Sequence, residues 1–355
     1  FLGADGAANR AALINFSKER EIDTIYVNFF NYLYNAGGPK IYDQDIREFN
    51  AQMHEAGIAV YQLSGNANWM KNDFWERSLN LVNDFNLNAE EPEQKFDGYV
   101  FNLDPKGAGV PSGWNWPDDA NSVLFRDLIA NISAFKADRL EEESWGIDRI
   151  GYALLGNSPS MISAANYALD QQDTDFIVLY AQRNKALNII NDVEEAVDHA
   201  GTQDKEVVIA VWFAEMASQP DRTFFGKSLE DATQQFGAIE RYFSDHPAYA
   251  GIAAYDYTYY SQVVDTSSPN ISPVTANYDL SFPNDLVVTV DLNGSELTSI
   301  SDAAGPLTPG TDYVDNGATV TIKASYLNEQ EMGSLAVLTF TFSDDTTKTL
   351  TVHII

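Results

Sequence analysis

The chain has 355 residues, a formal net charge of −31 and no cysteine. An acidic excess of that size repels a phosphate backbone or an anionic lipid surface within a Debye length, so nucleic acid and membrane insertion are disfavoured. Without cysteine there is no disulfide, thiolate nucleophile or Cys-ligated metal centre, while 45% hydrophobic and 12% aromatic residues supply enough apolar surface for a folded core.

In chain order, an amphipathic stretch at 8–19 leads to an apolar run at 24–30, and the pattern then repeats. Helical stretches at 42–56, 73–86, 121–138, 160–169, 186–200 and 229–246 alternate with apolar runs at 59–63, 99–103, 150–155, 176–180, 207–213 and 252–257. Nearly continuous β-branched and aromatic runs between amphipathic helices are the pattern of a parallel sheet buried on both faces. Seven such runs over residues 1–264 predict an α/β fold, a (β/α)₈ TIM barrel whose remaining strand lies at or before Phe1–Gly3. The alternative, an open doubly wound sheet, would carry a G-x-G-x-x-G turn after an early strand, and none occurs there.

Composition shifts after Tyr260. Ser267-Ser268-Pro269-Asn270-Ile271-Ser272-Pro273 reads as a linker, set at 265–276, and 277–355 as a small all-β immunoglobulin-like sandwich. Its strands are expected at 286–292, 296–300, 318–322, 336–342 and 348–354, with turns at Asn293-Gly294, Pro309-Gly310 and Asn316-Gly317. No apolar run reaches the roughly 20 residues that span a bilayer. The chain opens at Phe1-Leu2-Gly3 without an initiator Met or a charged leader, as a processed chain does.

A barrel presents its reactive groups at the C-terminal ends of its strands and in the loops beyond. Those positions hold Asn28, Phe29, Phe30, Gln62, Ser64, Asn102, Asp104, Gly156, Asn157, Tyr180, Gln182, Arg183, Trp212, Glu215, Tyr255, Asp256 and Tyr257, with Trp69, Trp114 and Trp116 in segments that follow strands. Aromatic faces pack on the C–H faces of a pyranose, and amides and carboxylates take its hydroxyls, so a glycan is the expected ligand. Asn28, Gln62, Trp69, Asn102, Trp114, Tyr180, Gln182, Trp212, Tyr255 and Tyr257 are the expected substrate-binding residues, core packing being the competing role for each aromatic.

Glycoside hydrolysis commonly uses two carboxyl groups, about 5–5.5 Å apart for retention and about 6.5–9.5 Å for inversion. Asp104 is the candidate acid, with Glu215 or Asp256 as its partner. The competing roles are an Asp104 that orients the loop 105–113 and a Glu215 that is simply solvated. His54, His199 and His246 fall in or at the ends of helices and His353 in the last strand, none at metal-ligand spacing, so neither a metal nor a cofactor is expected.

The stretch Phe96-Asp97-Gly98-Tyr99-Val100-Phe101-Asn102-Leu103-Asp104-Pro105 resembles the fourth strand of family 18 chitinases and related endo-glycosidases, which carries D-G-x-D-x-D-x-E. Asp97 and Gly98 match; Val100 and Asn102 replace two aspartates, and Asp104 stands where the glutamate acid belongs. Ile177-Val178-Leu179-Tyr180 and Gly251-Ile252-Ala253-Ala254-Tyr255-Asp256 resemble that family's sixth and eighth strands. The resemblance implies a barrel that hydrolyses O-glycosidic bonds with Asp104 as proton donor. The replacements leave Asp104 without an anionic neighbour to raise its pKa and admit a second reading, a carbohydrate-binding or cell-surface protein without catalysis.

Asn293-Gly294-Ser295-Glu296-Leu297, Leu307-Thr308-Pro309-Gly310-Thr311-Asp312-Tyr313, Val320-Thr321-Ile322-Lys323 and Ser325-Tyr326-Leu327 resemble the X2 immunoglobulin-like module. That resemblance implies a secreted or surface-attached bacterial protein, its signal peptide removed, whose C-terminal module serves as a spacer or, as in some relatives, binds polysaccharide or cell wall.

Overall fold

The computed structural model describes residues 1–3, 6–34, 42–103, 116–117, 120–263, 269–343 and 345–355. They form two compact units, Phe1–Gly226 with Ala232–Gln262, and Val263–Ile355 with Lys227–Asp231.

The first unit is a TIM-barrel-like layer of seven parallel strands in sequence order: β1 (Thr24–Val27), β2 (Ala59–Ser64), β3 (Gly98–Asn102), β4 (Arg149–Leu155), β5 (Phe176–Tyr180), β6 (Glu206–Trp212) and β7 (Tyr249–Tyr255). Helices α1 (Gly6–Glu19), α2 (Phe30–Leu33), α3 (Asp43–Glu55), α4 (Phe74–Leu87), α5 (Ala120–Glu141), α6 (Pro159–Leu169), α7 (Ala186–Thr202), α8 (Leu229–Phe243) and α9 (Tyr257–Tyr260) alternate with them. Helix α7 shows why: Ile189, Ile190, Val193, Ala196, Val197 and Ala200 recur at helical spacing and are all buried, and Glu194 and Asp198 take the other face.

The residues expected to supply an eighth strand do not form one. Phe1–Gly3 is irregular, and the Phe1 ring packs 5.7 Å from Phe49 and 6.0 Å from Tyr257. Among the described residues β1 pairs only with β2 and β7 only with β6, which leaves both edge strands half-exposed where β3, β4 and β5 are buried almost throughout.

Period-2 alternation sorts each strand. Val100, Ala153, Phe176, Val178, Tyr180 and Ala210 face the concave interior, while Tyr99, Phe101 and Tyr152 lie wholly buried on the helix side, Phe101 stacked on Tyr152 at 5.6 Å. Burying an aromatic of that size contributes about 2–3 kcal/mol each. At the N-terminal end the interior is filled: Gly98 and Gly151 leave room for the rings of Tyr61 and Phe176, where an added Cβ would come within 2.7 and 2.6 Å of them. Arg149 closes this floor, pairing with Glu206 at 2.7 Å, donating to the Tyr61 hydroxyl at 3.3 Å and lying 4.9 Å over the Phe176 ring.

The second unit holds two antiparallel-rich sheets. Its strands are β8 (Asn270–Ser272), β9 (Thr275–Tyr278), β10 (Leu286–Asp291), β11 (Leu297–Asp302), β12 (Gly305–Pro306), β13 (Tyr313–Asp315), β14 (Thr319–Ile322), β15 (Leu335–Phe342) and β16 (Thr347–Ile354), with helix α10 (Ala324–Leu327). One sheet runs β13-β14-β10-β8 and the other β12-β11-β15-β16-β9. Val288, Ile300, Val320, Leu338, Phe340 and Leu350 are wholly buried between them. Tyr313 and Tyr326 are core residues, the Tyr326 hydroxyl donating to Asp302 at 2.8 Å. The segment expected as a linker ends earlier than position 276, because β8 pairs with β10 and β9 with β16. Among the described residues no helix is long and apolar enough to cross a membrane.

Candidate functional site

The C-terminal ends of β5, β6 and β7 carry an aromatic wall. Trp212 and Tyr255 are register partners, and their rings stack with centroids 4.1 Å apart at 30°. Tyr180 meets both edge-on, at 5.9 and 5.8 Å. Small Ala210 and Ala253 lie one step down on the same face, so the three rings have room to tilt toward one another. Burial first, then the neighbouring Asp256 carboxylate, raises the Tyr255 pKa, so its phenol stays a donor at neutral pH. Beside the wall, Asn157 donates to Gln182 at 3.4 Å. Tyr180 is itself buried, and Trp212 and Tyr255 are half-buried, so the accessible part of the wall belongs to the latter two rings.

At the same end of the sheet, beyond β1 and β2, lies a groove of about 680 Å³. Asn28 and Phe30 line it from the first loop, Asn66, Trp69 and Lys71 from the second, and Asn72 and Phe74 from the start of α4. Gly65 makes the second loop possible: its φ is +130°, and an added Cβ would lie 2.8 Å from the Asn102 carbonyl at the end of β3. The Phe30 ring stacks on Tyr34 at 5.5 Å and meets Trp69 edge-on at 5.4 Å. Arg77 donates to the Tyr34 hydroxyl at 2.6 Å and lies over both the Tyr34 and Phe74 rings, fixing α2 against α4.

The expected site residues divide accordingly. Tyr180, Trp212 and Tyr255 come together at the wall, Gln182 pairs with Asn157, Asn102 ends β3 half-buried, Asn28 lines the groove from an exposed position, and Trp69 borders it as a buried residue. Gln62 does not face a ligand: it is wholly buried on the helix side, accepting from the Phe29 backbone N–H at 3.1 Å and donating to Ser64 at 2.6 Å. Tyr257 also turns away, its ring against Phe16 at 5.3 Å. The short helix after β7 carries it outward.

Asp104 and Trp114 lie outside the described residues, as does the loop 105–113. Asp256 caps α9, accepting from the Tyr259 N–H at 3.4 Å, and the peptide before it is cis. Glu215 is exposed and has no hydrogen bond or ion pair among the described residues. Among the described residues no cluster of three or more His, Asp or Glu side chains is placed to hold a metal.

Asp97, the first residue of the D-G motif, sits at the opposite end of its strand from the wall. It takes the His54 ring at 2.8 Å and the Val60 N–H at 2.6 Å, tying α3 and β2 to β3. Its strand is the third among the described residues, where the resemblance makes it the fourth. His199 and His246 likewise meet Asp170 and Asp198, at 2.8 and 3.3 Å. These pairs span 29 to 48 positions, beyond the reach of a spacing argument. The residues missed at the groove are Asn31, Gly65, Asn66, Asn68, Lys71, Asn72 and Phe74, while Phe30 and Ser64 stand at strand ends the sequence points to. Three asparagines between 66 and 72 around Trp69 are the signal that could have found them.

Comparison with solved structures gives a likeness to a trimodular GH5_4 subfamily endoglucanase, 14% identical, covering 98% of this chain and 73% of that one with a TM-score of 0.48. A tri-modular endo-β-1,4-glucanase B from Bacillus halodurans gives 16%, 97%, 73% and 0.45. Among curated proteins, Exoglucanase-2 of Thermoclostridium stercorarium is 39% identical over 85 residues, 24% of this chain and 9% of that protein. Cellulose-binding protein A of Clostridium cellulovorans is 35% identical over 96 residues, 26% of this chain and 5% of that protein. The chain therefore matches a small part of each curated relative. The family 18 resemblance of residues 96–105 finds no support in these comparisons. Residues 271–352 match the family model described as carbohydrate binding domain X2, and it is the C-terminal sandwich that this similarity describes.

Proposed function

We propose that the barrel-like unit takes a polysaccharide across the C-terminal ends of its strands while the X2-like module engages the same material. The observation that carries the reading is the Tyr180–Trp212–Tyr255 wall beside the Asn157–Gln182 amide pair, at the end of the sheet where barrels bind ligand. In this reading the chemistry is hydrolysis of an O-glycosidic bond, Asp104 donating the proton to the leaving oxygen and Glu215 or Asp256 serving as the second carboxylate. Secretion follows from the same reading, since a polymeric glycan is met outside the cell.

The second reading, binding without turnover, is favoured by one observation. The Asp256 carboxylate is engaged in capping α9 and Glu215 stands in solvent. Incubation with cellulose, mannan, chitin and peptidoglycan separates the two. Release of reducing ends that Asp104→Asn abolishes supports the hydrolase. Saturable binding with no release, in the native chain and in the variant alike, supports the binding protein. No affinity for any of the four removes the polysaccharide reading.

A further inference from the structure

We propose that the asparagine-lined groove beyond β1 and β2 is a distal subsite that recognises further units of a neutral, linear glycan by donating hydrogen bonds to its oxygens. The proposal rests on the polysaccharide reading above and adds to it a preference for long chains.

Three asparagines of the groove are oriented by their own loops. Asn28 Oδ1 accepts from the Phe30 N–H at 3.2 Å, Asn66 Oδ1 from Asn68 at 2.9 Å and Asn72 Oδ1 from Phe74 at 3.0 Å. With one lone pair of each amide oxygen committed and the amide thereby oriented, the Nδ2 pair of N–H donors stays open to a ligand beside the second Oδ1 lone pair, and among the described residues nothing accepts from Nδ2. All three side chains are exposed, so the amides meet a ligand without first breaking a fold contact.

The apolar component is fixed as well. Phe74 is 40% exposed at the groove, and Phe30 is held edge-on against Trp69 and stacked on Tyr34. Donors with uncharged acceptors opposite, beside ring faces, suit ring and hydroxyl oxygens on one side of a sugar and C–H groups on the other. In a chain with 52 acidic residues, none of the described residues lining this groove is acidic, and the charged group there is the exposed Lys71, which is why an anionic sugar is the control for the neutral ligand. The volume of about 680 Å³ lies within the range of small-ligand sites, roughly 300–1,000 Å³.

The sequence supplies its own probe. All six tryptophans lie at or before position 212, so intrinsic tryptophan fluorescence of the whole chain reports the barrel-like unit and not the sandwich. The titrants are cello-, manno- and chito-oligosaccharides of two, four and six units, with oligogalacturonates as a charged control. The variants are Asn66→Asp with Asn72→Asp, which keep the Oδ1 acceptor of each loop while replacing the donor by a carboxylate, and Trp212→Ala at the wall.

The expected result is affinity rising at least about tenfold from two to six units in one neutral series, about 1.4 kcal/mol. The double Asp variant loses that rise and keeps the native affinity for the shortest sugar, while Trp212→Ala weakens every length. A double variant that retains the full rise, or a native chain indifferent to length, overturns the subsite and leaves the wall standing. Tighter binding of oligogalacturonates than of every neutral series overturns the neutral ligand. No response to any titrant overturns both the subsite and the reading it rests on.

Discussion

Trp212 and Tyr255 face each other across β6 and β7, rings stacked at 4.1 Å, with Tyr180 edge-on to both. A wall built on register partners is positioned by the sheet itself, without help from a loop. Trp212→Ala removes the shared contact of both tyrosines. It is expected to weaken glycan binding about tenfold or more and to cost about 2 kcal/mol of stability, Trp212 being half-buried. Trp212→Phe, which keeps a stacking face, should recover most of the stability. Urea melts and fluorescence titrations check both.

The His54–Asp97 pair predicts how stability varies with pH. The Asp97 hydrogen bond, working against burial, raises the His54 pKa above its ordinary 6.5, so its contribution is complete below 6.5 and fades as pH rises through the folded value. For Asp97, burial alone would raise the pKa, but the His54 and Val60 hydrogen bonds prevail and hold it below 3.8. That contribution is complete above 3.8 and fades as pH falls through the folded value. The melting temperature of His54→Gln should fall furthest below native between about pH 4 and 6.5 and approach it in alkaline buffer. A constant offset across the whole range would count against the pair.

Gly65→Ala forces a Cβ to within 2.8 Å of the Asn102 carbonyl at a φ of +130°. Strain and collision together are expected to cost about 2 kcal/mol or more. Because Gly65 also lines the groove, the loss should show in the length dependence of binding as well as in thermal melts.

Two carboxylates of the proposed chemistry are separable by stability. Asp256→Ala removes the cap of α9 and should cost up to about 1 kcal/mol, the 3.4 Å bond placing it at the low end, whereas Asp256→Asn keeps an acceptor and should be nearly neutral. Glu215→Gln, at an exposed position without partners among the described residues, should stay within about 0.5 kcal/mol of native. Any loss of glycan turnover in Asp256→Asn or Glu215→Gln then reports chemistry and not folding.

Arg149→Ala uncovers the sheet floor, removing the pair with Glu206, the bond to Tyr61 and the contact over Phe176. The side chains are partly exposed, so screening limits the ionic share. The expected loss is about 1–2 kcal/mol with glycan affinity unchanged, measured by denaturant melts beside the fluorescence titration.

The alternating architecture was readable because the central strands bury both faces. The run 176–180 coincides with β5, and 59–63 and 150–155 fall within a residue of β2 and β4. The wall was readable for a related reason, since strand ends can be located once strands are. What periodicity could not supply was direction at the margins. Gln62 reads as a ligand group by position, yet alternation turns it toward the helices. Tyr257 follows β7 closely enough to look like part of the wall until α9 carries it outward. Nor could the role of Asp97 in tying elements together be read, because the His54 ring that claims it lies 43 positions away.

The filled floor decides how a polymer can be handled. Tyr61 and Phe176 press against glycines at the bottom of the sheet, with Arg149 laid over Phe176, so the interior is a blind end and not a tunnel. Under the polysaccharide reading proposed above, a long chain would not thread along the barrel axis but lie crosswise over the strand tips, reachable from its middle as easily as from its ends.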